Sequence, residues 1–90
     1  MELTAHASRR RQQRGIAYPL MELLYQFGSI HYHRGMEVYS IDKEAAETLK
    51  TEVSYSAQII EKLLTVYMVM KDDLVITVAH KTVRQKNNRK

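Results

Sequence analysis

One histidine and four arginines stand within nine residues near the start of the chain, in the stretch HASRRRQQRGI that spans residues 6–16. Read as a helix, this stretch places His6, Arg10 and Gln13 within about 60° of one another, with Arg14 about 40° further round. Arg9 and Arg11 flank that face. An imidazole, a guanidinium and an amide in line can grip phosphates through paired, charge-assisted hydrogen bonds. Imidazole also exchanges protons near neutral pH, so His6 is a candidate acid or base. The competing reading is a solvated helix face, with Arg10 or Arg14 paired to a carboxylate such as Glu22 or Glu44.

A second basic group closes the last apolar run of the chain, at His80, Lys81 and Arg84. Side chains alternate along a strand, so His80 shares a face with Val78 while Lys81 points the other way. If the first helix packs beside this strand, His6, Arg10, His80 and Arg84 converge. RNA cleavage needs such a set: a base for the 2′-hydroxyl, an acid for the leaving oxygen and cations for the phosphorane. His6, Arg10 and His80 are thus the catalytic candidates. Arg9, Arg11, Arg14, Lys81 and Arg84 are the candidates for nucleic-acid binding. The competing account is a basic strand end running into a basic tail.

His31 and His33 lie on one face of a third element, a spacing that can chelate zinc or copper. No cysteine and no nearby acidic cluster completes a site, so neither metal nor cofactor is expected. The six tyrosines are scattered and lack the paired spacing of a base-stacking platform. No Gly-rich phosphate loop, GxSxG, HExxH or CxxC motif occurs.

The elements that must position these residues follow from capping and periodicity. Thr4 caps a helix beginning at Ala5, and Gly15 stops it in a left-handed conformation. Pro19 opens a second helix, with Ile16, Leu20, Leu23, Leu24 and Phe27 as its apolar stripe, and Gly28 is expected to end it as Gly15 ends the first. SIHYHRGMEVYSI reads as a β-hairpin about Arg34-Gly35, with Ile30 and Tyr32 on one face and His31 and His33 on the other. Asp42 caps a third helix. Ser54 or Ser56 caps a fourth, whose stripe is Ala57, Ile60, Leu63 and Leu64. Two apolar strands, 65–70 and 74–80, flank an Asp72-Asp73 turn and form a central antiparallel pair. The expected fold is α+β, in the order α-α-β-β-α-α-β-β, with helices on one face of a four-stranded, mainly antiparallel sheet. Residues 1–84 form one domain, and 85–90 read as a disordered basic tail.

Ninety residues allow one domain whose stability is modest, so a homodimer is plausible. The chain has no cysteine and no run long enough to span a membrane. No signal-peptide pattern opens it, and a cytoplasmic location is the expectation. The net charge is +4, with the arginines at one end of the sequence, a lysine- and arginine-rich stretch at the other, and the acids concentrated in the middle. That pattern suits an anionic partner such as RNA, DNA or an acidic protein.

The two ends also carry a family resemblance. His6-Ala7, Arg10, Arg14, Gly15 and Ile16 resemble the HAxxRxxxRGI opening of a family of small bacterial proteins of unassigned function. The stretch Val75 to Lys81, followed by Arg84, is similar to the Val-Thr-Val, His and basic residues that close them. The resemblance implies a distant likeness to RelE-like and barnase/colicin-like toxin ribonucleases, which pack N-terminal helices on a small antiparallel sheet and cleave RNA without metal. It implies an RNA target, a toxin–antitoxin setting and an antitoxin as protein partner. The presence of two helices between hairpin and last strand pair, where those toxins have one, departs from their pattern. Two functions stay open: an RNA-binding, metal-independent ribonuclease, and a non-catalytic module that binds nucleic acid or protein.

Overall fold

The computed structural model describes residues 1–81. In chain order it contains β1 (Glu2–Leu3), α1 (Ala5–Arg14), α2 (Tyr18–Phe27), β2 (Ser29–His33), β3 (Met36–Ser40), α3 (Lys43–Thr51), α4 (Ala57–Leu64), β4 (Val66–Lys71) and β5 (Leu74–His80). The caps form as side-chain chemistry requires. Thr4 accepts from the Ala7 N–H at 3.0 Å, Asp42 from Ala45 at 2.8 Å and Ser56 from Ile59 at 3.3 Å. Each satisfies a donor that the first helical turn leaves without an intrahelical partner. At the end of α1, Gly15 is left-handed (φ 66°), and the Ile16 N–H donates to the Arg11 carbonyl at 2.9 Å. This closing motif leaves Ile16 buried against the core.

The strands form one five-stranded sheet in the order β1-β5-β4-β3-β2. All neighbours are antiparallel except β1, which runs parallel to β5. The sequence therefore anticipated the helices and the four long strands but not β1. Two residues are too short to carry a strand pattern, and β1 exists because Glu2 and Leu3 lie beside Leu74 and Val75.

β4 and β5 pair without interruption from their turn to Val75, where one extra residue enters. Met70 pairs with Val75, but Val69 pairs with Thr77, so Ile76 forms a bulge. The bulge changes the phase of β5. Val75 and Val78, three apart, now point to the same side and are both fully buried. With Val66, Met68, Met70 and Tyr39 they form the sheet's contribution to the core. Helix residues Ala7, Met21, Leu23, Leu24, Leu49, Ile60 and Leu63 complete it from the same side. On the opposite face Val38, Tyr67, Val69, Thr77 and Ala79 stay only half-buried.

Gly28 departs from expectation. Its backbone is extended (φ −72°, ψ 153°), so it is not a left-handed stop. The residue is needed for space: a Cβ here would overlap the Leu24 carbonyl oxygen and lie 3.2 Å from that of Ser40. α2 can pass directly into the sheet beside β3 only because that position has no side chain. Left-handed backbone appears instead at Arg34 and Gly35, and at Asp72 and Asp73, the central pairs of the two hairpin turns.

Candidate nucleic-acid interface

α1 is tied to β5 at its start. The Thr4 N–H donates to the Val75 carbonyl at 3.0 Å, and the Thr4 hydroxyl donates to Ile76 at 3.3 Å. Ala7, with no exposed surface, is the helix's contact with the core. From there α1 runs along β5, so that Gly15, just past its C-terminus, shares a cleft with His80.

This packing rotates the basic face seen on the helical wheel. Arg10 and Arg11 straddle Ala7, and their Nε atoms are buried without a hydrogen-bond partner. Arg11 is anchored twice: Nη1 donates to the Ile16 carbonyl at 3.2 Å, and its guanidinium lies 4.8 Å over the Tyr18 ring. Its place is structural at least in part, since its stem and charge lock the turn between α1 and α2. His6, Arg9 and Arg14 are exposed. Among the described residues one ion pair forms, between Lys50 and Glu47. Neither Arg10 nor Arg14 is therefore neutralised by Glu22 or Glu44.

A basic group does assemble, at the far end of α1. The cleft there measures about 220 Å³ and is lined by Gly15, Ile16, Ala17, Leu20, Lys62, Thr65, Val66 and His80. Arg14 immediately precedes Gly15. The Lys81 N–H donates to the Thr65 carbonyl at 2.7 Å, which binds the end of β5 to the end of α4. Lys62 and His80 thus line a cleft where two helix C-termini and the end of one strand come together, with Arg14 and Lys81 next to its Gly15 and His80 in the chain. The helix dipoles place partial negative charge there, and the last-turn cations Arg11, Arg14 and Lys62 offset it.

Lys62 and Thr65 were not singled out by sequence reasoning. Counting outward from the Asp72-Asp73 turn puts residue 66 opposite residue 79, and only the bulge brings Val66 opposite His80. The beginning of α1 belongs to the other end of the molecule. Eight residues separate His6 from Arg14, an axial distance of about 12 Å. His6 follows Thr4, which is bonded beside Val75, close to Asp73. The structure therefore brings His80 together with the Arg14 end of α1, not with the His6 end. Arg84, and the tail at 85–90, lie outside the described residues.

The two ends differ in charge. Glu2, Glu22 and Asp73 line a cleft of about 660 Å³ together with Met1, Tyr25, Gln26 and Met70. β5 spans the distance between that acidic end and His80, about 20 Å for its seven residues.

His31 and His33 are exposed on β2, opposite Val38 and Met36. Among the described residues no three His, Cys, Asp or Glu side chains gather closely enough to hold a metal ion. Two groups show shifted pKa values. Asp42 is held below the usual carboxylate range by the Ser29 hydroxyl, which donates to it at 2.6 Å, and by the Ala45 N–H. Tyr39 is raised, chiefly by burial and then by the nearby Glu37 carboxylate. Neither touches the basic cleft. No helix among the described residues is long and apolar enough to cross a membrane.

No protein-family model, curated protein or solved structure matches the chain.

Proposed function

We propose that this protein binds RNA at the cleft lined by Lys62 and His80, beside Arg14 and Lys81 in the chain. The observation that carries the reading is the convergence of the ends of α1, α4 and β5 on one cleft, lined by Lys62 and His80 and with Arg14 next to its Gly15 in the chain. Phosphates would sit against Arg14 and Lys62, with Arg9 further along the exposed side of α1. His80 would donate to a phosphate oxygen. The resemblance of the two chain ends to a family of small bacterial proteins, which implies a distant likeness to toxin ribonucleases, supports the same partner.

Binding falls as salt rises, because each neutralised phosphate releases condensed counterions. For single-stranded RNA the slope of log K against log salt is about −0.7 per phosphate contact. Fluorescence anisotropy with a labelled single-stranded RNA tests this. Arg14→Ala with Lys62→Ala weakens binding and makes the slope shallower by about 1.4, for two contacts. Unchanged affinity and slope would show that the cleft is not the site.

A catalytic reading is favoured by one observation, that His80 shares its cleft with Lys62. An imidazole beside an ammonium group can serve metal-independent phosphodiester cleavage: His80 takes the 2′-hydroxyl proton as that oxygen bonds to phosphorus, Lys62 stabilises the phosphorane, and water protonates the 5′-oxygen as it leaves. Cleavage of RNA by purified protein in EDTA, lost in His80→Ala and retained in His6→Ala, is its signature. Intact RNA leaves the protein as a binding module, with an antitoxin or other protein as a separate partner to be sought by co-purification.

A further inference from the structure

β2 forms one edge of the sheet, and it lacks the usual protections. At the opposite edge, β1 covers β5 with only two residues. β2 is five residues long, carries no proline, lysine or acid, and has no bulge. Strands of that kind present a template for another chain unless something covers them.

The pairing with β3 shows which backbone groups are available. In a two-residue hairpin the closing pair, His33 with Met36, exchanges both of its hydrogen bonds, and bonding alternates from there. Ser29, His31 and His33 therefore bond to β3. Ile30 and Tyr32 turn their N–H and C=O groups outward. Their side chains are exposed as well, Ile30 at 42% and Tyr32 at 76%. They lie on the side of the sheet where Tyr25, also exposed, packs against Tyr39 with ring centroids 5.6 Å apart.

We infer that β2 joins two copies of this chain, pairing antiparallel with its own copy about a two-fold axis at His31. The register is self-complementary. Ile30 stands opposite Tyr32 of the other copy, and Tyr32 opposite Ile30, so both outward-facing residues exchange their two hydrogen bonds. The same pairs bring an aliphatic side chain onto an aromatic ring twice, a favourable cross-strand combination. Charges agree at the ends. Arg34, three residues beyond the axis, comes beside Ser29 and Asp42 of the other copy, with Glu44 in the following helical turn. Self-pairing of this kind closes the assembly at two chains and yields a continuous ten-stranded sheet. The edge of a five-residue strand alone covers less than the roughly 1,200 Å² of a stable interface. Tyr25, Ile30 and Tyr32 must supply much of the rest, so the dimer is reversible. This interface is independent of the RNA cleft, and either can fail without the other.

Sedimentation equilibrium of the full chain is the test. The weight-average mass rises with concentration from 10.5 kDa toward twice that value. Tyr32→Pro removes one outward donor and no hydrogen bond to β3, so it keeps the hairpin and abolishes the rise. Tyr32→Lys does the same by charge if the proline variant does not fold; circular dichroism checks both. The register has its own probe. The native chain has no cysteine. His31→Cys places two thiols across the axis at a non-bonded pair and gives a disulfide-linked dimer on oxidation. Gln58→Cys, on exposed α4, does not. A wild-type mass that stays at one chain throughout, a folded Tyr32→Lys protein that still dimerises, or equal cross-linking of the two cysteine variants would overturn the proposal.

Discussion

At Gly28 the constraint is distance rather than dihedral angle. Its N–H donates to the Leu24 carbonyl at 2.8 Å, and the position where a Cβ would stand is already occupied by that same carbonyl oxygen. Gly28→Ala must push backbone against backbone, where no flexible side chain can yield. The expected loss is about 1–3 kcal/mol, the usual range for overpacking, read from the urea midpoint. The second hairpin turn shows the reverse case. Asp72 and Asp73 both hold positive φ, a conformation that disfavours residues with a Cβ. Asp73→Gly produces the Asp-Gly pair that such turns prefer, and raises stability by about 0.5–1 kcal/mol in the same assay. Asp42 supplies a pH test. Its folded-state pKa is lowered, first by Ser29 and then by the Ala45 N–H. Its ionised form therefore stabilises the protein above the ordinary carboxylate pKa. That contribution is lost as pH falls through the lower, folded value. Asp42→Asn, which keeps a capping oxygen, flattens this acid limb in urea titrations below about pH 4. An unchanged acid limb would mean that other carboxylates dominate it.

Among the elements, the link between α1 and β5 decides what the basic residues can do. Thr4 makes that link with one side chain: it accepts from Ala7 as a cap and donates to Ile76 across the sheet. Thr4→Ala loses both contacts and is expected to cost about 1–2 kcal/mol, toward the upper end for a cap. Thr4→Ser retains most of it, and thermal unfolding distinguishes the two. The elements were legible because their signals are local. Thr4, Asp42 and Ser56 act within three residues, Pro19 and Gly15 within one turn, and the limits of β5 follow from an unbroken apolar run beside a turn. The site was only partly legible because its assembly is not local. The helical wheel gave the order of side chains round α1 but not which of them Ala7 would carry inward. It therefore could not show that Arg11 is committed to Ile16 and Tyr18. The Ile76 bulge leaves no composition signal, since isoleucine fits a regular strand equally well. Yet that one residue sets Val66 opposite His80, in the cleft that Lys62 also lines.

Over the whole molecule, the separation of charge along β5 bears directly on how an RNA would approach. Lys62 and His80 lie at one end and Glu2 and Asp73 at the other, about 20 Å away along seven residues of strand, whereas Glu22 shares a groove with Lys62. A charge at the acidic end cannot touch an RNA held at the basic end. It can only act through the field, which orients the protein and opposes approach from the wrong side. The screening length decides when that matters: about 30 Å at 0.01 M salt but about 10 Å at 0.1 M. Glu2→Gln with Asp73→Asn should therefore raise the association rate for RNA by a few-fold near 0.01 M. Near 0.1 M the rates should become equal, and dissociation should not change at either salt. Stopped-flow fluorescence at the two ionic strengths measures both constants. A gain that persists at the higher salt, or that appears in the dissociation rate, would place Glu2 and Asp73 in contact with the RNA, and the binding surface would then extend along β5 to the opposite end of the sheet.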